Sequence, residues 1–550
     1  MEKEHMFEGL LIAGEKTYII QAEESRNLLQ VLMEQVSGLS APCGGAGRCG
    51  KCAVLVEKGD FAVSAEDKRF FSDEQLEKGY RLACTATVSG DFQVVWTGRL
   101  EEDMEVLTEM ATDRVKQEKG PQEKEDSEKR ENSEREKQSE KTSDEAPNLV
   151  LAIDIGTTTL AFGVYDEESG TLIAHEAGLN HQRAFGGDVI ARIQASNEGE
   201  KSRLQELVRE DLRRGIERLF DSEKENGLNE KKLKKTVIAG NTTMIHLLMG
   251  YSCEGLGVVP FTPYSLDTVN STLEEICGYS SKCPVTVIPG ISAFVGGDIV
   301  SGMMAVELSK KEKPCLFLDL GTNGEMALGN REKLLVTSTA AGPAFEGGNI
   351  SCGIGSIPGA ICHVTIEDSL QIETIGGALP VGICGTGVVE TVAELLKSGE
   401  VDETGRFEEE EYFDDGYLLA TSPEGEPITF IQKDIREIQL AKAAIRAGIE
   451  TLLVRFGISY EDVGEVYVAG GFGYKLDLKK AVEIGMLPQE LLGRTKAVGN
   501  TSLQGAAHLA LGRYKIGEAE ALAKAAEEIS LASDRDFQGF YMEYMMFEPA

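Results

Sequence analysis

Hydrophobic and polar positions divide the chain into three stretches of different character. Over the first hundred residues, short apolar runs at Gly9–Leu11, Lys16–Gln21, Ala53–Lys58 and Asp91–Trp96 are separated by turn residues and predict strands. The spacing from Asn27 to Val36 predicts one helix among them. Residues 1–99 therefore read as a small mixed β/α unit. From Lys116 to Glu145 no aliphatic or aromatic residue occurs. Such a stretch has no apolar area to set against the entropy of ordering. Residues 100–147 read as a disordered, charged linker, with a docking segment as the alternative.

Apolar patterning resumes at Asn148. LVLAIDIGTTTLAFGVYD reads as strand, tight turn and strand, and the pattern returns in CLFLDLGTNGEMALG, with Asp319 placed 165 residues after Asp154. The repetition predicts two lobes descended from one unit. Helical spacing at Leu204–Phe220 and Ile435–Phe456 makes the whole an α/β multidomain protein. The boundaries expected are 148–232 for the first part of this large unit and 233–550 for the rest. In TVIAGNTTMIHLLMG a threonine is expected to cap a helix starting near Thr243, with a ligand loop as the alternative, and His246 is expected to pack in the core. Asp188 and Arg192 have the spacing of an ordinary helix-face pair. The Phe-, Tyr- and Met-rich tail FQGFYMEYMMFEP is expected to cover the core, with a partner patch as the alternative.

Composition narrows the classes. At 550 residues the chain exceeds what one core serves, and a prior of about 150 residues per domain gives roughly three or four units. A net charge of −37 opposes nucleic acid and anionic membranes as partners. The start, MEKEHMFEG, has no basic segment followed by an apolar run, and the least polar stretch, Ile288 to Val306, contains Pro289 and Asp298. A cytoplasmic location is expected. There, 11 cysteines point to metal ligation before disulfides.

PCGGAGRCGKC places Cys43, Cys49 and Cys52 as C-x5-C-x2-C, and Cys84 follows in YRLACTATV. Four thiolates satisfy a 2Fe-2S centre. Gly44, Gly45 and Gly47 let the loop curl so that backbone N–H groups approach the cluster sulfurs. Zinc usually takes two C-x2-C pairs, and only one is present, with Cys84 expected in a strand. The spacing resembles that of ferredoxins in monooxygenase systems. The remaining cysteines, from Cys253 to Cys384, mostly sit beside apolar residues and read as small buried hydrophobes, with a second cluster drawn from Cys277, Cys283, Cys352, Cys362 or Cys384 as an alternative that lacks recognisable spacing.

No P-loop occurs, and CGIGSIPGA reads as a turn. Three other segments carry the nucleotide reading: DIGTT at Asp154–Thr158, DLGTNGE at Asp319–Glu325 and VYVAGGFG at Val466–Gly473. A Gly-Thr turn offers N–H groups and a hydroxyl to phosphate, while the strand-end carboxylate can hold hydrated Mg2+. Three ordinary glycine turns are the alternative. Their order resembles the phosphate and adenosine motifs of the actin, sugar-kinase and heat-shock-chaperone superfamily of ATPases.

The pairing of the two units is similar to the reductive activators of corrinoid proteins. GDVIARI, AGNTTMIHLLMG, FLDLGTNGE, AGPAFEGGNISCGIG, GICGTGVVE and VAGGFG carry that resemblance. It implies a β-grasp-like 2Fe-2S ferredoxin domain joined to a two-lobed, actin-like (ribonuclease H-like) ATPase. It also implies ATP-dependent reduction of Co(II) to Co(I) on a corrinoid protein, in support of a methyltransferase system. On matching positions, Cys43, Cys49, Cys52 and Cys84 hold the cluster. Asp154, Asp319 and Glu325 are the candidate catalytic carboxylates. Gly156, Thr157, Thr158, Gly321, Thr322, Asn323, Gly470, Gly471 and Gly473 serve ATP and Mg2+. An external low-potential electron donor and a homodimer are implied as well. The C-terminal part has no C-x2-C for a further cluster. Other readings are an ATP-coupled electron injector for a different enzyme, a redox sensor that releases no phosphate, and a sugar kinase.

Overall fold

The computed structural model describes residues 6–14, 16–36, 39, 41, 45, 47, 50–98, 147–222, 228–321, 323–367, 369–423, 425–471 and 475–547. The expected linker between 100 and 146, and the candidate site residues Cys43, Cys49, Thr322 and Gly473, lie outside the described residues.

The N-terminal unit is one five-stranded sheet of order β2-β1-β5-β3-β4, built from β1 (Met6–Ala13), β2 (Lys16–Glu23), β3 (Ala53–Lys58), β4 (Tyr80–Leu82) and β5 (Phe92–Trp96). β1 pairs antiparallel with β2 and parallel with β5. Helix α1 (Leu28–Gln35) starts where Asn27 accepts from the Gln30 N–H at 3.2 Å, a cap worth about 1 kcal/mol. Its Leu28, Leu29 and Leu32 are buried with Leu11, Val54 and Val94 of the sheet. The strands and the helix match their predicted positions to within a few residues. Cys84 differs: it lies in a 3-10 turn at Ala83–Thr85, just past β4.

The large unit contains two six-stranded sheets. The first has the order β10-β11-β9-β6-β7-β8, from β6 (Leu149–Ile155), β7 (Thr159–Asp166), β8 (Leu172–Leu179), β9 (Leu233–Gly240), β10 (Val269–Thr272) and β11 (Pro284–Val287). The second begins with β12 (Cys315–Leu320), β13 (Gly324–Gly329) and β14 (Leu334–Thr339). β15 (Ala360–Ile366), β16 (Leu370–Thr374) and β17 (Gly382–Ile383) form a side sheet, and β18 (Tyr417–Thr421) pairs with β19 (Pro427–Phe430). β20 (Val466–Ala469), β21 (Thr495–Gly499) and β22 (Glu527–Glu528) complete the order β21-β20-β12-β13-β14-β22.

The two sheets repeat one plan. β6 and β12 each pair antiparallel with the next strand and parallel with a strand far along the chain, β9 or β20. Register extends the match: Asp154 lies beside Ala239 and Asp319 beside Ala469, each alanine followed by glycine. The expected division at 232/233 is corrected here, because β9 belongs to the first sheet. That pairing is non-local and leaves no trace in the pattern of any single segment.

Helices α2 (Val189–Ala195), α3 (Lys201–Ser222) and α4 (Thr242–Met249) flank the first sheet, and α5 (Gly297–Ala305) and α8 (Thr501–Ala510) pack against each other. α6 (Gly385–Ser398) and α7 (Gln432–Phe456) belong to the second lobe. At the α5–α8 crossing, a Cβ on Gly505 would lie 2.0 Å from the Ser301 carbonyl oxygen, so only glycine admits this approach. Val300 and Met303 of α5 and Ala506 of α8 share one apolar cluster with Val150 and Val237 of the first sheet and Phe317 of the second. The layer between the lobes is therefore common to both. α9 (Arg535–Glu543) lies along α7, and Phe547 beyond it is 2% exposed and joins the second-lobe core, while no residue of α9 itself is buried and Met542 and Met546 stay exposed. Among the described residues no helix is long and apolar enough to cross a membrane, and within Ile288 to Val306 only α5 is helical.

Candidate functional site

Two of the four cysteines expected to hold the cluster can be placed. Pairing of β3 with β4 sets Ala53 opposite Leu82, and the Ala83 N–H donates to the Cys52 carbonyl at 2.9 Å. Cys52 and Cys84 are thereby brought to the same end of the sheet, 1% and 9% exposed. Asn27 Nδ2 donates to the Cys84 carbonyl at 2.8 Å, tying the α1 cap to the thiol-bearing turn. Gly45, Gly47 and Gly50 hold φ of +86°, +66° and +69°, and a Cβ on Gly45 would stand 3.8 Å from that of Cys84. Gly45, between Cys43 and Cys49 in sequence, therefore lies against Cys84. These left-handed residues suit a chain curled around a compact, sulfur-rich group.

The first Asp-Gly-Thr turn is held from behind by buried polar side chains. Asn180 Nδ2 donates to the Gly156 carbonyl at 2.9 Å, and the Asn180 N–H to the Thr158 carbonyl at 2.9 Å. Asn241 Nδ2 donates to Thr157 Oγ1 at 3.1 Å, while its Oδ1 accepts from the Met244 N–H at 2.9 Å and so caps α4. The cap is this asparagine and not a threonine. Arg192 does not serve as an exposed partner of Asp188: it is fully buried and donates to the Thr157 carbonyl at 2.6 Å. Asp188 instead caps α2 through the Ala191 N–H at 2.8 Å. His246 is buried, as expected.

Asp154 ends β6 and accepts from Asn500 Nδ2 at 2.9 Å and Ser502 Oγ at 2.7 Å, both from the start of α8. Asp319 ends β12 directly opposite Glu325 on β13. Asp298, in the first turn of α5, faces the same space. The four carboxyls remain partly open to solvent while surrounded on most sides by protein, as groups on the floor of a cleft are. Burial, joined by the charges of Asp319 and Asp154, pushes Asp298 up to about 8. Burial and Asp154 push Asp319 up to about 7. Glu325 is raised well above the ordinary range by burial and by Asp298 and Asp319. Burial also raises Asp154, with the Ser502 and Asn500 hydrogen bonds opposing it. Carboxyls raised chiefly by burial, and further by one another's charge, mark a site suited to positive charge. Among the described residues no three acidic, His or Cys side chains converge tightly enough for direct metal chelation. The set suits a cation that keeps water between itself and some carboxylates, as Mg2+ does.

Gly470 closes the second turn from the side. Its φ is +94°, and a Cβ there would lie 2.4 Å from the Leu320 carbonyl oxygen and 3.0 Å from Asp319 Oδ1. Gly471 faces open space. Gly321 donates its N–H to the Asn323 carbonyl at 3.1 Å, which forms the tight end of the hairpin.

Comparison with known proteins bears on this arrangement. Residues 12–89 match the 2Fe-2S iron-sulfur cluster binding domain, residues 149–311 the RACo middle region, and residues 313–550 the C-terminal domain of RACo, the ASKHA domain. The corrinoid activation enzyme RamQ of Eubacterium limosum is 34% identical over 425 residues, covering 73% of this chain and 71% of that one. The chain belongs to the family of corrinoid activation enzymes. A second member, the [Co(II) methylated amine-specific corrinoid protein] reductase of Methanosarcina barkeri, is 28% identical, covering 71% of this chain and 76% of its own. A solved structure described as a reductive activator for corrinoid, iron-sulfur protein aligns over 98% of both chains at 28% identity, with a TM-score of 0.66. The architecture is thus that of a ferredoxin-type domain with an actin-like, two-lobed ATPase unit. The two matched regions of this corrinoid activation enzyme meet between 311 and 313, where the first sheet has ended and the second has not begun.

Of the sequence candidates, Asp154, Asp319 and Glu325 are brought to one cleft with Gly156, Thr157, Gly321 and Gly470 around it. Asp298, Asn180, Asn241, Arg192, Asn500 and Ser502 were missed. A signal existed for Asp298, the single acid in a long apolar stretch, which sequence reasoning used only against a membrane span. None existed for Asn500 and Ser502, which reach Asp154 from 346 and 348 residues away.

Proposed function

We propose that this protein carries out ATP-dependent, one-electron reduction of the Co(II) form of a corrinoid protein to Co(I), in support of a methyltransferase or O-demethylase system. The observation that carries the reading is the cleft where two Asp-headed hairpins meet, in a chain that also draws Cys52 and Cys84 to one end of a ferredoxin-type sheet. Cys43, Cys49, Cys52 and Cys84 would hold a 2Fe-2S cluster, which supplies one-electron chemistry. The nucleotide with Mg2+ supplies the driving force, since each ~59 mV of unfavourable potential costs a factor of about ten for one electron.

The chain's own residues provide the rest. Gly156, Thr157 and Thr158 would form one phosphate-gripping turn, and Gly321, Thr322 and Asn323 the other. Gly470, Gly471 and Gly473 would let backbone approach the adenosine. Asp154, Asp319 and Glu325, with Asp298, would hold Mg2+, whose charge would offset their own. Two lobes that share one apolar layer suit closure about that layer. An external low-potential donor feeds the cluster, and a homodimer fits the family.

The test is anaerobic. Reconstituted protein is mixed with a Co(II) corrinoid protein and a reductant, and Co(I) absorbance is followed with and without ATP. ATP should raise the rate by at least an order of magnitude, and phosphate should be released. Equal rates would overturn the coupling.

A further inference from the structure

Arg192 is the group whose surroundings the proposed function leaves unexplained. Its guanidinium is fully buried. Nε donates to the Gly186 carbonyl at 2.9 Å, Nη2 to the Thr157 carbonyl at 2.6 Å, and Nη1 lies 3.5 Å from Gln182 Oε1 and 3.3 Å from Met244 Sδ. Among the described residues no carboxylate oxygen stands within ion-pair distance of it. The two acids nearby are engaged elsewhere. Asp188 caps α2, and Asp211 accepts from the His181 N–H at 2.8 Å, with His181 Nδ1 at 2.6 Å. Burial, together with Arg183 nearby, brings the Arg192 pKa down to about 9, with the charges of Asp188 and Asp211 opposing the shift only in part. Such a buried cation is costly unless something anionic compensates it, and it sits directly behind the turn that faces the nucleotide phosphates.

The same strand of chain carries the cluster domain. Between Asn180 and Arg192 runs a strap that holds the phosphate turn at both ends, through Asn180 to Gly156 and Thr158 and through Arg192 to Thr157. Its middle, the 3-10 turn His181–Phe185, packs against α1 of the ferredoxin-type domain, and Arg183 Nη2 lies 3.4 Å from the Leu39 carbonyl oxygen. Beside it Arg203 pairs with Glu34 of α1 at 3.0 Å. The cluster loop also reaches the second lobe, where Lys51 Nζ donates to the Ser351 carbonyl at 3.3 Å. The domain thus touches both lobes. A change in their separation cannot preserve both sets of contacts.

We propose that Arg192 is a positioning residue for the nucleotide phosphates, and that through the Asn180–Arg192 strap nucleotide binding loosens the seating of the cluster domain on the lobes. This rests on the ATP-binding reading above. In it the cluster domain is seated across the lobes without nucleotide and freed to meet the corrinoid protein with it. By linkage the effect is reciprocal: weakening the seat strengthens nucleotide binding, by at most the factor with which nucleotide weakens the seat.

The experiment uses the full chain with its cluster reconstituted. Affinities for Mg·ATP and adenosine are measured by calorimetry, and amide exchange is followed in residues 31–35 of α1 with and without Mg·ATP. Wild type should show faster exchange there with Mg·ATP. Arg192→Met should bind Mg·ATP on the order of 10- to 100-fold more weakly with adenosine affinity unchanged. At saturating Mg·ATP it should lose the exchange response. Arg203→Ala, remote from the nucleotide, should bind Mg·ATP several-fold more tightly, and serves if Arg192→Met does not fold. Equal loss of ATP and adenosine affinity in Arg192→Met would reduce the residue to a structural role. An intact exchange response in that variant, or unchanged ATP affinity in Arg203→Ala, would overturn the coupling. Wild type that binds neither ligand would overturn the ATP-binding reading itself.

Discussion

The two hairpins, β6–β7 and β12–β13, share strand register and differ in what surrounds them. Opposite Asp154 stands Ala161, whereas opposite Asp319 stands Glu325. Asp154 receives two hydrogen bonds from α8, and its turn is backed by Asn180, Asn241 and Arg192. Around Asp319 acidic groups gather instead: burial with the charges of Asp298 and Asp319 raises Glu325, and burial with those of Asp319 and Asp154 raises Asp298. One backbone plan thus has two settings: a turn braced by buried donors in the first lobe, which under the proposed function would grip phosphate, and a denser set of carboxyls around the second hairpin, which with Asp154 would hold the cation.

The largest effect should follow from removing charge at the cation end. Asp319→Asn is expected to lower Mg·ATP hydrolysis by about 10²- to 10³-fold, or roughly 3–4 kcal/mol of barrier, measured as phosphate release with corrinoid partner present. A loss under tenfold would mean that the second hairpin is not where the cation is held. Next comes Asn180→Ala, which strips the first turn of a buried donor and should cost about 2 kcal/mol of stability. Thermal melting reads this directly, and an unchanged Tm would mean that the first turn needs no such support. The smallest effect is on pH dependence. Asp319 and Asp298 have pKa values raised to about 7 and about 8 from an unfolded value of 3.8. The folded chain therefore keeps protons that the unfolded chain has released. Stability without metal should fall as pH rises from about 4 through 8, by about 1 kcal/mol after solvent screening. Mg·ATP should offset the loss at pH 8.5 and not at pH 5, and Asp298→Asn should flatten the dependence. A Tm that rises over this range would refute the carboxylate cluster.

What could be read in advance was local. The strands and helix of the ferredoxin-type domain, the cysteine spacing and the two hairpins each declare themselves within a dozen or so residues, because turn chemistry and side-chain alternation act at that range. What escaped was set by distance. β9 joins β6 across an intervening helical region, so the lobe boundary could not be seen at 232/233. Arg192 looked like one half of a surface pair because spacing reports which residues share a helix face, not whether that face is buried. Asn241 was passed over as a cap for the threonine beside it, although both types favour that position. Asp298 and the pair Asn500 and Ser502 belong to the site only through the packing of α5 on α8.

That packing bears on how the protein is made. Asp154 is synthesised early, but its donors Asn500 and Ser502 follow 346 and 348 residues later. At ~5–20 residues per second a ribosome takes roughly 20–70 s to supply them. Until then the nascent first lobe lacks α8 beside its sheet, and its strand-end aspartate has no side-chain donors from that helix. The ferredoxin-type domain, whose five strands all lie before residue 97, has no such wait. It can fold, and receive its iron, long before the ATPase to which it is tied exists.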